Sequence, residues 1–203
     1  LRNIALAQII TPVLDEKILI EKLKEGDETA FKSIVDKWQD MVYNTALGIV
    51  QTAEDAEDIA QETFVQVYQS IDSFKGESKF STWLYRITVT KSLDHARRKK
   101  RKKRFAIIKK LFGDNNEEDV QVPDFHHPGV ILDKKENAAV LFKAIEQLPD
   151  NQKIAFTLHK VEGLSYQEIS EVMNSSVSSV ESLMHRAKTN LKKTLEGYYK
   201  SQG

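Results

Sequence analysis

Apolar residues recur along this chain at intervals of three and four rather than two, so the pattern predicts helices. Leu14 to Lys24 reads as a first helix, closed by Gly26 as a left-handed cap. Asp27 stands at the N-cap of the next, where Phe31, Ile34, Val35, Trp38, Val42, Ala46 and Ile49 line one stripe. Thr52 is the expected cap of a third helix, with Asp55 as the acid of a shortened capping box. Ala56, Ile59, Ala60, Thr63, Phe64 and Val67 form its predicted buried face, and Asp55, Asp58, Gln61, Glu62 and Gln66 fall on the other side. "SFKGESKFS" is a loop by its Gly and Ser content. A helix then runs from about Thr82 into a basic tract.

Between Leu111 and Glu136 the periodicity stops. "FGDNNEEDVQVPDFHHPG" contains prolines and acids with no helical period, which predicts a linker. Helical spacing resumes at Ala138–Leu148, closed by Pro149, and Asp150 is the expected cap of "NQKIAFTLHKVEG", which Gly163 ends. Ser165-x-x-Glu168 is a capping box opening a short helix whose inner face is Ile169, Val172 and Met173. Asn174 takes a sharp turn, for which its tolerance of the left-handed region suits it, and Ser176 caps a longer helix. Val177, Val180, Met184, Ala187 and Leu191 face its core. Ser178, Ser179, Glu181, Ser182, Leu183, His185, Arg186 and Lys188 are left outward or on the flank. Two short-linked helices, the second longer and basic toward its end, have the layout that docks into a major groove. Leu183 is suited to a thymine methyl and Arg186 to a phosphate or a guanine. The competing reading of this segment is an ordinary helical hairpin, and Glu181, an acid on a would-be DNA face, leans that way.

Charge changes the picture more than composition does. The 203 residues carry 30 Lys+Arg against 30 Asp+Glu, yet Arg97 to Arg104 are eight basic residues in a row. Leu111–Asn137 holds seven acids against two lysines, a net of −5. Cations packed within a Debye length of about 8 Å repel unless a polyanion joins them, and phosphate backbone is the natural partner; a solvated linker is the alternative. Phe74, Phe80, Trp83 and Tyr85 precede the tract with Lys75, Lys79 and Arg86 interleaved, the mixture that stacks and neutralises unpaired bases. Trp83 and Tyr85 are equally suited to a core. Hydrophobic content of 40% supports packed domains, and 30% charged residues with a mean hydropathy of −0.45 suggest solubility. Zero cysteines exclude disulfides and Cys-based zinc sites, and fit a reducing cytoplasm. The opening "LRNIALAQIITPVLDEK" is too interrupted to resemble a signal peptide, and no run approaches a membrane span.

"DAEDIAQETFVQVYQSIDSFKGESKFSTWLYRITVTKSLDHARRKKRK" resembles region two of the extracytoplasmic-function sigma factors of bacterial RNA polymerase. "LPDNQKIAFTLHKVEGLSYQEISEVMNSSVSSVESLMHRAKTNLKK" resembles their region four. The resemblance implies an all-α protein of two small helical domains joined by a flexible linker. Residues 1–26 would be an extension and first helix, 27–104 region two, 105–137 the linker and 138–203 region four. It further implies that Asp55, Asp58, Gln61 and Glu62 meet the β′ clamp helices of core polymerase, whose β flap takes region four. Lys75, Lys79, Phe80, Trp83, Tyr85, Arg86, Arg97 and Arg98 would open and hold the promoter −10 element. Ser178, Ser179, Ser182, Leu183, Arg186 and Lys188 would read the −35 element as duplex. The linker would thread toward the RNA exit path, its acids mimicking nucleic acid. Family members are commonly held by an anti-sigma factor, often membrane-bound, and need neither cofactor nor metal. Two departures stand out: Asn174 where many members have Gly, and Glu181 with Leu183 where many have Lys and Arg, which implies a different −35 sequence.

Two other classes of function compete. A one-component regulator would form a homodimer on a palindrome, but leaves the Asp55–Glu62 acid face and the aromatic-basic block without a role. A DNA-cleaving enzyme would need Asp55, Asp58 and Glu62 to gather Mg²⁺, yet they share one helix face with no ligand from elsewhere. No phosphate loop, nucleophile elbow or zinc-helix motif occurs. His126-His127 is an isolated pair in the linker.

Overall fold

The computed structural model describes residues 11–111 and 140–200. The linker acids, His126-His127 and the first ten residues lie outside them. The first half comprises α1 (Thr11–Lys24), α2 (Glu28–Val50), α3 (Ala53–Ser70), a 3-10 turn (Ile71–Ser73) and α4 (Phe80–Leu111). Gly26 takes φ 84°, and the Asp27 side chain accepts hydrogen bonds from Thr29 N and Ala30 N to start α2, both as the pattern predicts. Thr52 does stand at the extended N-cap of α3, but its side chain makes no cap hydrogen bond. Its hydroxyl instead donates to the Asp55 carboxylate, which Lys99 and His95 also hold. Asp55 is therefore turned toward α4 and the expected capping box is not made. The basic tract is helical, and α4 continues through Arg104 to Leu111, beyond the expected start of the linker.

In the second half, residues 140–146 form α5, followed by α6 (Asp150–Lys160), α7 (Tyr166–Val172) and α8 (Val177–Lys200). The N-cap of α6 is Pro149, and Asp150 is its first residue rather than its cap. That places the Asp150 carboxylate in the first turn, where it faces the positive end of the helix dipole. Among the described residues no strand occurs.

Side-chain packing divides α1–α4 from α5–α8 and then joins them. One core holds Leu23, Ile34, Val42, Val67, Phe80 and Leu84 from α1–α4. Another packs Ala144, Ile145 and Leu148 against Ala187 and Leu191. The third is shared: Ile154, Leu158, Ile169, Val172, Val180 and Met184 from the second half enclose Ile49, Tyr85 and Val89 from the first. Burying a large apolar side chain contributes roughly 1.5–3 kcal/mol, whereas an exposed ion pair contributes about 0–1 kcal/mol. The three enclosed side chains therefore hold the halves together, and the polar contacts around them set the register.

Candidate nucleic-acid interface

The turn between α7 and α8 is built by its local chemistry. Ser165 Oγ accepts from Glu168 N at 3.2 Å while Ser165 N donates to Glu168 Oε2 at 3.1 Å, so the capping box is complete. Asn174 takes φ 48°, and Ser176 Oγ accepts from Ser179 N at 3.2 Å to start α8. Val180, Met184, Ala187 and Leu191 are buried, which turns Ser178, Ser179, Ser182, Arg186 and Lys188 to solvent with Glu181 and His185. Ser182 Oγ donates to the Ser178 carbonyl at 3.0 Å, leaving its acceptor lone pairs outward. Leu183, expected outward or on the flank, lies on the flank: it is half-buried against the shared core, and its exposed part alone is left to meet a base.

The aromatic-basic block of α4 is only partly a surface. Lys75, Lys79, Arg86, Arg97 and Arg98 are exposed. Phe80 is 2% exposed and lies among Trp38, Phe74 and Trp83, with ring centroids 6.3, 5.5 and 5.7 Å away. It is a core residue, because the amphipathic period of α4 points it into the bundle, and the expected base contact from its ring is corrected to a supporting role. Trp83 is half-buried above it. Tyr85 is also buried, and its hydroxyl donates to Glu162 Oε2 at 2.9 Å. Burial, with the Glu162 charge behind it, pushes the Tyr85 phenol well above its ordinary range. Glu162 is itself pushed up by burial, against the pull of the Tyr85 hydrogen bond.

The basic tract meets the acid face of α3. Lys99 Nζ lies 2.6 Å from Asp55 Oδ2, His95 Nε2 3.0 Å from Asp55 Oδ1, and Arg98 Nη2 3.6 Å from Glu62 Oε2. Burial works to raise the Asp55 carboxyl, but the hydrogen bonds from Lys99 and Thr52 prevail and hold it below the usual carboxylate range. Asp58 and Gln61 are exposed and Glu62 is half-exposed. With Val65, Gln66, Gln69 and Lys91 they line an open groove, and Val65 is 53% exposed. Of the four acid-face residues, Asp55 and Glu62 pair with α4. Among the described residues no group of three or more His, Asp or Glu side chains is placed to hold a metal. Nor is any described helix long and apolar enough to cross a membrane.

Sequence reasoning passes over Val65, although it is an apolar residue off the buried stripe of α3 and thus a legible signal. It also passes over Glu162 and Glu171, and reads Glu168 for its cap alone, because their partners in and beside α4 lie far away in sequence.

A family model described as Sigma-70 region 2 matches residues 34–102, and one described as Sigma-70, region 4 matches residues 139–191. The chain is similar to the ECF RNA polymerase sigma-E factor of Salmonella typhimurium, 31% identical over 175 residues, 86% of this chain and 91% of the relative. It is also similar to the RNA polymerase sigma-H factor of Pseudomonas aeruginosa, 33% identical over 178 residues, 88% of this chain and 92% of the relative. Among solved structures it shares its fold with CnrH in complex with the cytosolic domain of CnrY, at TM-score 0.64 and 22% identity over 89% of this chain and 96% of that one. The fold also matches the sigma factor RpoE in complex with the anti-sigma factor NepR from Bartonella quintana, at TM-score 0.61 and 20% identity over 82% and 96%. The capped helix-turn-helix and the helical module ahead of it thus fall within the two matched regions, and the chain belongs to the extracytoplasmic-function sigma factors, which direct bacterial RNA polymerase to promoters.

Proposed function

We propose that the labour of initiation is divided between the two halves as follows. The groove along α3, with Asp58, Gln61, Glu62 and the exposed Val65, docks on the β′ clamp helices of core polymerase. Asp55 acts there chiefly by anchoring the basic end of α4. Lys75, Lys79, Arg86, Arg97 and Arg98 hold the backbone of the opened −10 strand, and Trp83 and Tyr85 face its bases over the floor that Phe80 supports. Melting costs a few kcal/mol per unstacked base, which stacking of about 1–3 kcal/mol per base offsets. In the −35 duplex, Ser178, Ser179, Ser182, Arg186 and Lys188 contact backbone and base edges, with Leu183 at the flank, while the second half rests on the β flap.

The observation that carries this reading is the open face of α8, where a complete capping box, a left-handed Asn174 and a Ser176 cap aim small side chains and two cations outward. Small side chains let backbone approach phosphate, and cations follow it. The work is that of a binding factor on a borrowed catalyst, done in the cytoplasm where the polymerase is, with no cofactor. Two proteins of similar fold were solved with partners, CnrH with the cytosolic domain of CnrY and the sigma factor RpoE with the anti-sigma factor NepR, and we extend an anti-sigma partner to this chain. The test is run-off transcription with purified core polymerase on a promoter library. Initiation from a distinct promoter class is expected. It should be lost when Asp58, Gln61 and Glu62 are all replaced by Ala, and redirected when Ser178 and Arg186 are. Unchanged initiation with all three acid-face side chains removed would refute the docking face.

A further inference from the structure

The open face of α8 carries an acid that the contacts assigned to duplex do not use. Val180, Met184, Ala187 and Leu191 set the buried side of the helix, and Glu181 is exposed among Ser178, Ser182 and His185, which are exposed as well. Ser178 precedes it by three residues and His185 follows it by four, so they are its neighbours along the helix surface. Among the described residues no hydrogen bond or ion pair engages the Glu181 carboxylate. Glu196, further along the same helix, pairs with Lys192 at 3.7 Å. The positions one turn before and after Glu181 hold Val177, Ser178, Met184 and His185. None of these is a permanent cation, so the helix gives this carboxylate no counter-charge.

An ionised carboxylate has acceptors and no donor. A phosphate repels it and offers nothing for it to accept. The donors of the major groove are exocyclic amines, N4 of cytosine and N6 of adenine. Adenine sets its N7 acceptor beside the amine, where the second carboxylate oxygen would meet a lone pair. Cytosine presents the amine with no acceptor of its own beside it. A recognition helix reads bases with its N-terminal residues, and α8 begins at Val177, four residues before Glu181. The serines around it stay close to the helix: Ser182 Oγ donates to the Ser178 carbonyl at 3.0 Å, and Ser178 Oγ lies 3.1 Å from Ser176 Oγ. Glu181, with the longer side chain, reaches past them.

We propose that Glu181 is a specificity-determining residue for the −35 duplex, which rests on the assignment of the α8 face under Proposed function. Its carboxylate accepts from the N4 amine of a cytosine and so selects a C·G pair at one position. The selection works in both directions. The right pair gains a charge-assisted hydrogen bond. A pair that puts no amine there leaves the carboxylate desolvated against acceptors or a methyl group, a loss that adds to the discrimination.

The test is transcription by the full chain with core polymerase from a barcoded promoter library randomised through the −35 element. The parent should favour cytosine at one position by about tenfold over the other bases. Glu181→Ala should flatten that position and leave the others as they were. Glu181→Gln should turn it toward adenine, whose N6 and N7 a carboxamide meets together. N4-methylcytosine at that position still pairs with guanine but has no free amine hydrogen in the groove. It should weaken initiation by the parent as much as a change of base does, and leave Glu181→Ala unmoved. The proposal is overturned by a parent without a cytosine preference, by a preference that survives Glu181→Ala, or by a preference for another base that Glu181→Ala removes. A uniform rise over all sequences in Glu181→Ala overturns it too, since the carboxylate is then only a repulsive charge. If Ser178→Ala with Arg186→Ala redirects initiation while Glu181→Ala does not, this inference falls alone. A parent that initiates from no member of the library overturns the −35 assignment along with it.

Discussion

The serine-lined face of α8 lies open to solvent, whereas Lys79, Arg86 and Lys100, exposed as well, are paired with acceptors of α6 and α7. Both are assigned to DNA, and both lie along helices. They differ in what they must receive. Duplex is a stiff, ready-made ligand, and a helix face can wait for it. A melted strand exists only after work has been done on the promoter, and a cationic stripe left bare would hold any polyanion through counterion release. Pairing cations of the second surface within the chain and leaving the first open accords with that difference.

The largest effect is expected where the two surfaces share a core. Leu158 is fully buried in the cluster that encloses Ile49, Tyr85 and Val89. Leu158→Ala should cost about 2–5 kcal/mol. The two tryptophans, Trp38 and Trp83, both sit in the first half, so a denaturation curve followed by their emission reports whether the loss crosses the seam. A shift confined to far-UV circular dichroism, with the tryptophan curve unmoved, would mean that the halves unfold separately.

Salt dependence sharpens the contrast between the surfaces. Each lost phosphate contact lowers the slope of log affinity against log salt by about 0.7 for a single strand and about 0.9 for a duplex. Arg97→Gln with Arg98→Gln should reduce the slope for polymerase–promoter binding only when the template contains a melted −10 region. Arg186→Gln with Lys188→Gln should reduce it on closed duplex too. Equal slopes for both pairs on both templates would erase the distinction.

How much of this was legible in the sequence follows from range. The stripes of α2, α3 and α8, the Asp27 cap, the Ser165–Glu168 box and the Asn174 turn are local, each set by residues within a turn or two of one another, and the structure has them as the pattern predicts. Asp55 was misread as a cap acid because its partners, Lys99 and His95, come from another helix. Phe80 looked like a base platform because aromatic residues among cations look alike whether they face inward or outward. The seam is non-local throughout: Lys79 and Glu168 are 89 residues apart, and Gly48 and Thr157 are 109 apart. A residue such as Glu168 carries its cap role in the sequence, but its second role, neutralising Lys79, only in the fold.

That double role predicts a smaller effect. Ser165→Ala removes the hydroxyl that accepts from Glu168 N, an N-cap loss of about 1 kcal/mol. It loosens α7, the helix whose Glu171 carbonyl holds Arg86, so retention of single-stranded DNA should rise slightly while binding to −35 duplex weakens. Glu168→Gln should keep the box, since Gln serves at that position, yet lose the Lys79 pair. The two variants therefore part company on duplex and agree on single strand.

The smallest effect is a pH dependence, and two acids in the seam divide it between them. Burial raises the Glu162 carboxyl above its ordinary 4.5, with the Tyr85 hydrogen bond pulling it partway back. A group whose value is raised on closing binds its proton more tightly in the closed chain. It favours closure fully below 4.5, and that contribution is lost as the pH rises through the raised value. Glu168 acts in the opposite sense. The Lys79 hydrogen bond, together with the Ser165 cap bonds inside the second half, holds its carboxyl at about 2, down from 4.5; the Lys79 part favours closure above 4.5 and is lost as the pH falls toward about 2. Above 4.5 the trend therefore belongs to Glu162, and mild acidification should tighten the closed chain. Dyes on Lys32→Cys and Lys193→Cys, both exposed positions in a sequence without other thiols, would follow the distance between the halves as pH falls toward 4.5. Glu162→Gln should flatten the curve in that window and leave the region below 4.5 to Glu168. A curve that keeps its slope after Glu162→Gln would assign the proton to another group and remove Glu162 from the closing contact.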